Sequence, residues 1–82
     1  MVVVYRAHGF RFVIYTLDHE PAHVHVTGAG QAKINLLGPD GAPDIVFSVG
    51  IKRSDVRRLL AEVVERHDDF LQQWERIDGR RD

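Results

Sequence analysis

The sequence predicts an α+β protein: an antiparallel sheet of four or five strands, followed by one long or two short helices packed on one face. Residues 1–50 consist of short runs rich in β-branched and aromatic residues, separated by Gly, Pro and Asp. Residues 54–78 instead carry apolar side chains at three- and four-residue steps, which is typical of an amphipathic helix. With 82 residues, the chain is expected to form a single domain.

The first two strands and the last strand are predicted from apolar runs next to turn-forming residues. Residues 2–6 and 10–15 are such runs, and the short segment 7–9 between them predicts a tight connection of paired strands. Residues 45–49 follow a stretch rich in Gly and Pro at 38–43 and are expected to form the last strand.

The clearest predicted hairpin joins residues 23–27 to residues 31–36. Both runs alternate apolar and polar residues, and a loop of Gly, Ala and Gly at 28–30 separates them. The apolar side chains of both strands share the core face only if the numbers of paired residues add to an even sum, and a three-residue loop satisfies this condition. Gly30 is expected in the left-handed backbone conformation that many three-residue hairpin loops use.

The same alternation predicts a polar patch on the opposite face of the sheet. His23 and His25 lie two residues apart in a strand, so their imidazoles should leave the same face about 6.6 Å apart. The predicted register pairs His25 with Lys33 and His23 with Asn35, and Arg11 joins them from the neighbouring strand. An ammonium group opposite His25 disfavours the imidazolium, which leaves a neutral base or metal ligand. A solvated polar face without a site is the alternative.

The helical block is expected to begin at Ser54 as N-cap and to end before Gly79. One continuous helix would be about 35 Å long, which is long for so small a sheet. A break is therefore predicted near His67, where Asp68 or Asp69 could cap a second helix. His67 itself is expected to be packed with one nitrogen satisfied. The apolar stripe, expected in the core, consists of Val56, Leu59, Leu60, Val63, Val64, Phe70, Leu71, Trp74 and Ile77.

Composition excludes several classes of protein. The 44% hydrophobic and 28% charged residues are typical of a folded domain. A formal charge of -1 argues against coating nucleic acid by bulk charge, and the absence of Cys excludes a disulfide framework or a thiolate zinc site. The apolar run before Arg6 is too short for a signal segment or a spanning helix. A cytoplasmic protein without membrane association is expected.

A metal site at the histidine pair would need further ligands. A divalent metal held by His23 and His25 is kept as an alternative, but no spacing nominates a third ligand, so no cofactor is assured. The nearby candidates are His8, Asp18, His19 and Glu20.

Several segments together resemble a bacterial family catalogued as domain of unknown function 4160. They are Gly9-Phe10-Arg11-Phe12, Glu20-Pro21-Ala22-His23-Val24-His25-Val26, Gly30, Ala32-Lys33, and a terminal helix with Leu71 and Trp74. The resemblance covers almost the whole chain, although residues 37–49 are longer and more strand-like than the family pattern. It implies no established reaction. It implies a small protein partner encoded by a neighbouring gene, in the manner of a toxin-antitoxin module.

The leading hypothesis is therefore a small interaction protein, and self-association is left open. The rival is an enzyme that cleaves phosphodiester bonds in RNA or nucleotides. In it His25 is the general base, His23 the general acid, and Lys33 with Arg11 stabilises the phosphate charge. The candidate catalytic residues are thus His23, His25 and Lys33, and the candidate binding residues are Arg11, Asn35 and Glu20. The near-neutral charge of the chain weakens this rival.

Two other resemblances are weaker. The segment Pro21-Ala22-His23-Val24-His25-Val26-Thr27 is similar to part of the histidine triad of nucleotide hydrolases, but Thr27 stands where the third His is required. A cupin also places His-x-His on a strand, but it needs a Glu a few residues later, and residues 27–31 contain none.

Overall fold

The computed structural model describes residues 1–16 and 20–78. Five strands form one antiparallel sheet in chain order, and two helices follow them. The predicted α+β fold is confirmed, with five strands and two helices. The elements are β1 (Val2–Ala7), β2 (Phe10–Ile14), β3 (His23–Thr27), β4 (Gln31–Asn35), β5 (Asp44–Val49), α1 (Arg53–Glu65) and α2 (His67–Asp78).

The first hairpin has a two-residue turn formed by His8 and Gly9. Their φ angles are 55° and 78°, and two successive positive values are typical of the type I′ turn that suits the twist of paired strands. The register of β1 against β2 shifts between Val3 and Tyr5. This bulge reverses the inside-outside alternation in the second half of β1, and both Val4 and Tyr5 pack against the core.

The β3–β4 hairpin has the predicted register, with Thr27 opposite Gln31 at its closed end. The expectation for Gly30 is wrong, because its φ is not among the positive ones. Glycine is needed at this position for another reason. A Cβ atom on Gly30 would lie 2.3 Å from the carbonyl oxygen of Val49 and 2.6 Å from the carbonyl carbon of Gly50, so the end of β5 passes too close for any side chain.

The last strand predicted at residues 45–49 is confirmed, since β5 spans Asp44–Val49. β5 pairs with β4 and forms one edge of the sheet, while β1 forms the other. The register shifts between Lys33 and Ile34, which pair with Phe47 and Ile45, so Val46 is the extra residue of a second bulge.

The predicted break in the helical block is confirmed at Arg66. This residue ends α1 with φ -105° and ψ 23°, and α2 begins immediately after it. Asp68 and Asp69 lie in the first turn of α2 rather than at a cap. Carboxylates in a first turn interact favourably with the positive end of the helix dipole.

The start of α1 differs from the prediction. Lys52 is the N-cap residue and makes no capping hydrogen bond through its side chain, whereas Ser54 lies inside the first turn. Gly79, the predicted residue after the last helix, lies outside the described residues. In the part of the chain that the structure describes, neither helix is long and apolar enough to cross a membrane.

The core lies between the sheet and the two helices. Phe12 and Phe70 join the two layers, with ring centroids 5.8 Å apart, and Tyr5 contacts both rings. Val24 and Val26 point inward as predicted and are fully buried. The buried cluster contains Phe10, Phe12, Ile14, Ala22, Val24, Val26, Ala32, Ile34, Leu36, Leu59, Val63, Phe70 and Trp74.

Candidate functional site

The polar side chains lie on the face of the sheet opposite the helix-covered one, which we call the outer face. Residues directly opposite each other in paired strands point to the same face, so the register defines this surface. One cross-strand row is Val3, Val13, His25, Lys33 and Phe47, the next is Arg6, Arg11, Thr27, Gln31 and Val49, and a third contains His23, Asn35 and Asp44. The register therefore places His23, His25, Lys33, Asn35 and Arg11 on one face, as predicted. Glu20 lies in the exposed segment before β3.

His23 belongs to the outer face by alternation, but it is buried. Its side chain is packed at the start of β3, where the Trp74 ring lies 5.1 Å away, and His23 is only 4% exposed. Its Nδ1–H donates a hydrogen bond of 2.8 Å to the carbonyl oxygen of Pro21. The expectation that both imidazoles are accessible is therefore wrong for His23. A substrate in solution cannot touch this ring unless the surrounding structure moves.

His25 is partly exposed and contacts two other rings. The centroid of the Tyr15 ring lies 4.8 Å from the centroid of the His25 ring, and that of His23 lies 4.9 Å from it. Both pairs are edge-to-face. Val13, its cross-strand partner, is fully buried. The two histidine rings touch each other, so a phosphate group cannot sit between them. This geometry does not suit an acid and a base that work on opposite sides of one phosphodiester.

Lys33 and Asn35 keep their predicted places opposite the two histidines and are partly exposed. The side-chain oxygen Oδ1 of Asn35 is shielded from solvent and has no hydrogen-bond partner within residues 1–16 and 20–78.

The metal alternative has no third ligand among the described residues, which contain no group of three His, Asp or Glu able to hold an ion. His8 is engaged elsewhere, since its Nε2 lies 2.9 Å from a carboxylate oxygen of Glu62. Asp18 and His19 lie outside the described residues. Metal binding by His23 and His25 stays a prediction.

His67 has the structural role that the sequence predicts. Its Nε2–H donates a hydrogen bond to the carbonyl oxygen of Leu36, which connects the start of α2 to the end of β4. Phe70 and Trp74 are buried in the core, as expected.

A pocket at the turn end of the first hairpin was not predicted. It has a volume of about 460 Å³ and includes Arg6, Arg11 and Thr27 in its lining. Strict alternation from the inward-facing Val2 would point Arg6 toward the core, and the bulge after Val3 turns it to the outer face instead. No local feature of the sequence marks that bulge.

The edge strand β5 exposes apolar side chains, another feature that alternation did not predict. Val46 is 48% exposed, Phe47 is 42% exposed and Val49 is 65% exposed. Phe47 lies next to Lys33 and Val49 next to Gln31, so this apolar strip continues directly into the polar outer face.

Comparison with known proteins gives one match. Residues 9–75 match the model of a family described as a domain of unknown function, DUF4160. No curated protein and no solved structure matches the chain. The match covers most of the 82 residues and includes both histidines of the outer face. The chain therefore belongs to the DUF4160 family.

Proposed function

We propose that this chain is a small interaction protein that binds a second small protein, the product of a neighbouring gene. The binding surface is the edge of β5 together with the adjoining outer face. One observation carries the proposal: three apolar side chains, Val46, Phe47 and Val49, are exposed on a strand that has a strand neighbour on one side only. A toxin-antitoxin module is the setting that the family resemblance implies.

The two edges of the sheet differ in a way that favours β5 as the docking edge. An edge strand presents unpaired backbone N–H and C=O groups, and charged side chains commonly protect it from other chains. In β5 the only charged residue is Asp44, at the beginning of the strand. β1 also has a single charged residue, Arg6 near its end, but its apolar residues Val2, Val3 and Val4 are partly buried, so this edge exposes less apolar surface. A partner strand that pairs with β5 could cover its apolar side chains at the same time.

The histidine pair gives weaker support to the enzymatic alternative. The burial of His23 and its contact with His25 leave at most one of the two imidazoles within reach of a substrate. Binding without catalysis needs neither ring to be accessible. We therefore place protein binding before phosphodiester cleavage.

Co-expression with the neighbouring gene tests the proposal. With an affinity tag on the partner, the unmodified chain should co-purify in a one-to-one ratio. Phe47→Asp should reduce its recovery at least about tenfold, because a charge would enter the apolar strip. Val64→Asp is the matched control, since Val64 is an apolar residue with 55% exposure that belongs to α1 and not to the exposed edge strand.

Three outcomes would contradict the proposal: no co-purification of the unmodified chain, equal loss with both variants, or a chain that forms a dimer with itself and excludes the partner. Circular dichroism of each variant shows whether the fold is retained.

A further inference from the structure

We infer that Arg6, Arg11 and Thr27 form a binding site for a phosphate group on the outer face, at the turn end of the first hairpin. This site is separate from the apolar strip of the proposed protein interaction, because it lies across β1, β2 and β3, whereas the apolar strip lies on β5.

The two arginines are placed as a like-charge pair. Arg6 and Arg11 are directly opposite each other in the β1–β2 register, an arrangement that is unfavourable unless something neutralises it. Within the described residues neither guanidinium forms an ion pair with a carboxylate. Arg58 on α1, by contrast, lies 3.3 Å from Asp55. An anion at the first pair would compensate both charges at once.

Thr27 provides a second, independent indication. It is the cross-strand partner of Arg11 and lines the same pocket. Its hydroxyl oxygen is shielded from solvent and has no hydrogen-bond partner in the part of the chain that the structure describes. A shielded polar group without a partner is unfavourable, and a phosphate oxygen could accept a hydrogen bond from this hydroxyl after a change of the Thr27 side-chain rotamer turns it toward the pocket.

The pocket has the size and the chemistry for a nucleotide phosphate. Its volume of about 460 Å³ lies within the range of small-ligand sites. Each guanidinium carries several N–H donors in a planar fork, which matches pairs of phosphate oxygens. A doubly charged phosphate balances two guanidinium groups, whereas one carboxylate balances only one.

A glycine in the pocket lining allows two loops to approach each other closely. A Cβ atom on Gly28 would lie 2.6 Å from Cδ2 of Phe10 and 3.0 Å from the carbonyl oxygen of Gly9. Gly28 also donates its N–H to the carbonyl oxygen of Gly30, which holds the loop in place. Glycine at position 28 therefore lets the first hairpin pack closely against the β3–β4 loop, which brings the two sides of the pocket lining together.

The test is a titration of the whole chain in which two-dimensional ¹⁵N–¹H NMR spectra monitor binding. The probes are inorganic phosphate, AMP, a single-stranded RNA octamer, and acetate as a carboxylate of equal simplicity. Phosphate and AMP should shift the amide signals of Thr27 and Gly28, while acetate should not. Similar affinity for AMP and the octamer identifies a free nucleotide as the source of the phosphate, and much tighter binding of the octamer identifies a nucleic-acid strand.

Variants show whether the named residues make the site. Arg6→Gln and Arg11→Gln should each weaken AMP binding about tenfold or more, as expected for the loss of a charge-assisted hydrogen bond. Arg57→Gln, at an exposed arginine of α1, removes the same charge and should change the affinity less than about twofold. Thr27→Val should weaken binding without lowering the urea midpoint, because it removes a hydroxyl that has no partner in the free chain.

The inference is overturned if phosphate and AMP cause no shifts, if acetate binds equally well, or if Arg57→Gln weakens binding as much as the pocket variants. Phe47→Asp should leave AMP binding unchanged, so failure of this site and failure of the protein interaction can be told apart.

Discussion

The two faces of the sheet consist of alternate residues of the same five strands, yet they differ in almost every property. On the helix-covered face, Phe12, Val24 and Ile34 are at most 1% exposed and pack against the helices. On the outer face, Lys33 is partly exposed and Arg11 is exposed. The difference indicates that the helix-covered face supplies most of the stability of the fold, while the outer face combines exposed charged groups with two buried residues, Val13 and His23. Substitutions on the two faces should therefore affect different measurements.

The largest effect is expected from the helix-covered face. Phe70→Ala should lower the free energy of unfolding by about 3–5 kcal/mol, because it leaves a cavity between Phe12 and Tyr5. Phe47→Ala, at a phenylalanine of the outer face that is 42% exposed, should cost no more than about 1 kcal/mol. Urea denaturation of both variants gives the comparison. Equal losses would show that the two faces do not differ in this way.

His23 and His25 lie on the same face of the sheet, but His23 is buried and His25 is partly exposed, so their contributions to stability should differ. His23→Ala should lower the free energy of unfolding by about 1–3 kcal/mol, since it removes a buried ring and its hydrogen bond to Pro21. His25→Ala should cost clearly less, because this ring is partly exposed. Denaturant unfolding of the two variants measures the difference, and a larger loss for His25→Ala would contradict the structural role of His23.

The smallest expected effect is a gain of stability at the start of α1. Lys52→Ser should raise the free energy of unfolding by about 0.5–1 kcal/mol, because Lys52 is the N-cap and makes no side-chain capping bond. Lys52→Ala also removes the charge from the positive end of the helix, so the difference between the two variants isolates the capping bond. Equal stability of Lys52→Ser and Lys52→Ala would refute this assignment.

Much of the fold could be predicted because it depends on local patterns. The alternation around Val24 and Ile34 defines which side of each strand faces the core, and the three-residue loop at 28–30 then allows one register. The break near His67 could be predicted because one continuous helix that carried the whole apolar stripe would be too long for so small a sheet. These inferences need only the period of a strand or helix and the size of the sheet.

The unpredicted features depend on contacts between distant parts of the chain. Alternation shows that His23 points to the outer face, but it cannot show that Trp74 of α2 reaches and covers that ring. Similarly, the need for glycine at position 30 arises from the close approach of Val49, which lies in another strand. The pocket depends on a bulge that changes the side of the sheet on which Arg6 lies.

Hydrogen exchange measured by mass spectrometry, with the free chain compared to the chain bound to the proposed neighbouring-gene partner, shows directly whether β5 is the docking edge. Amides of residues 45–49 should exchange at least about tenfold more slowly in the complex, because backbone groups on the open edge of β5 become paired. Protection confined to α1 and α2, with β5 unchanged, would refute docking at β5 and place the binding surface on the opposite side of the molecule.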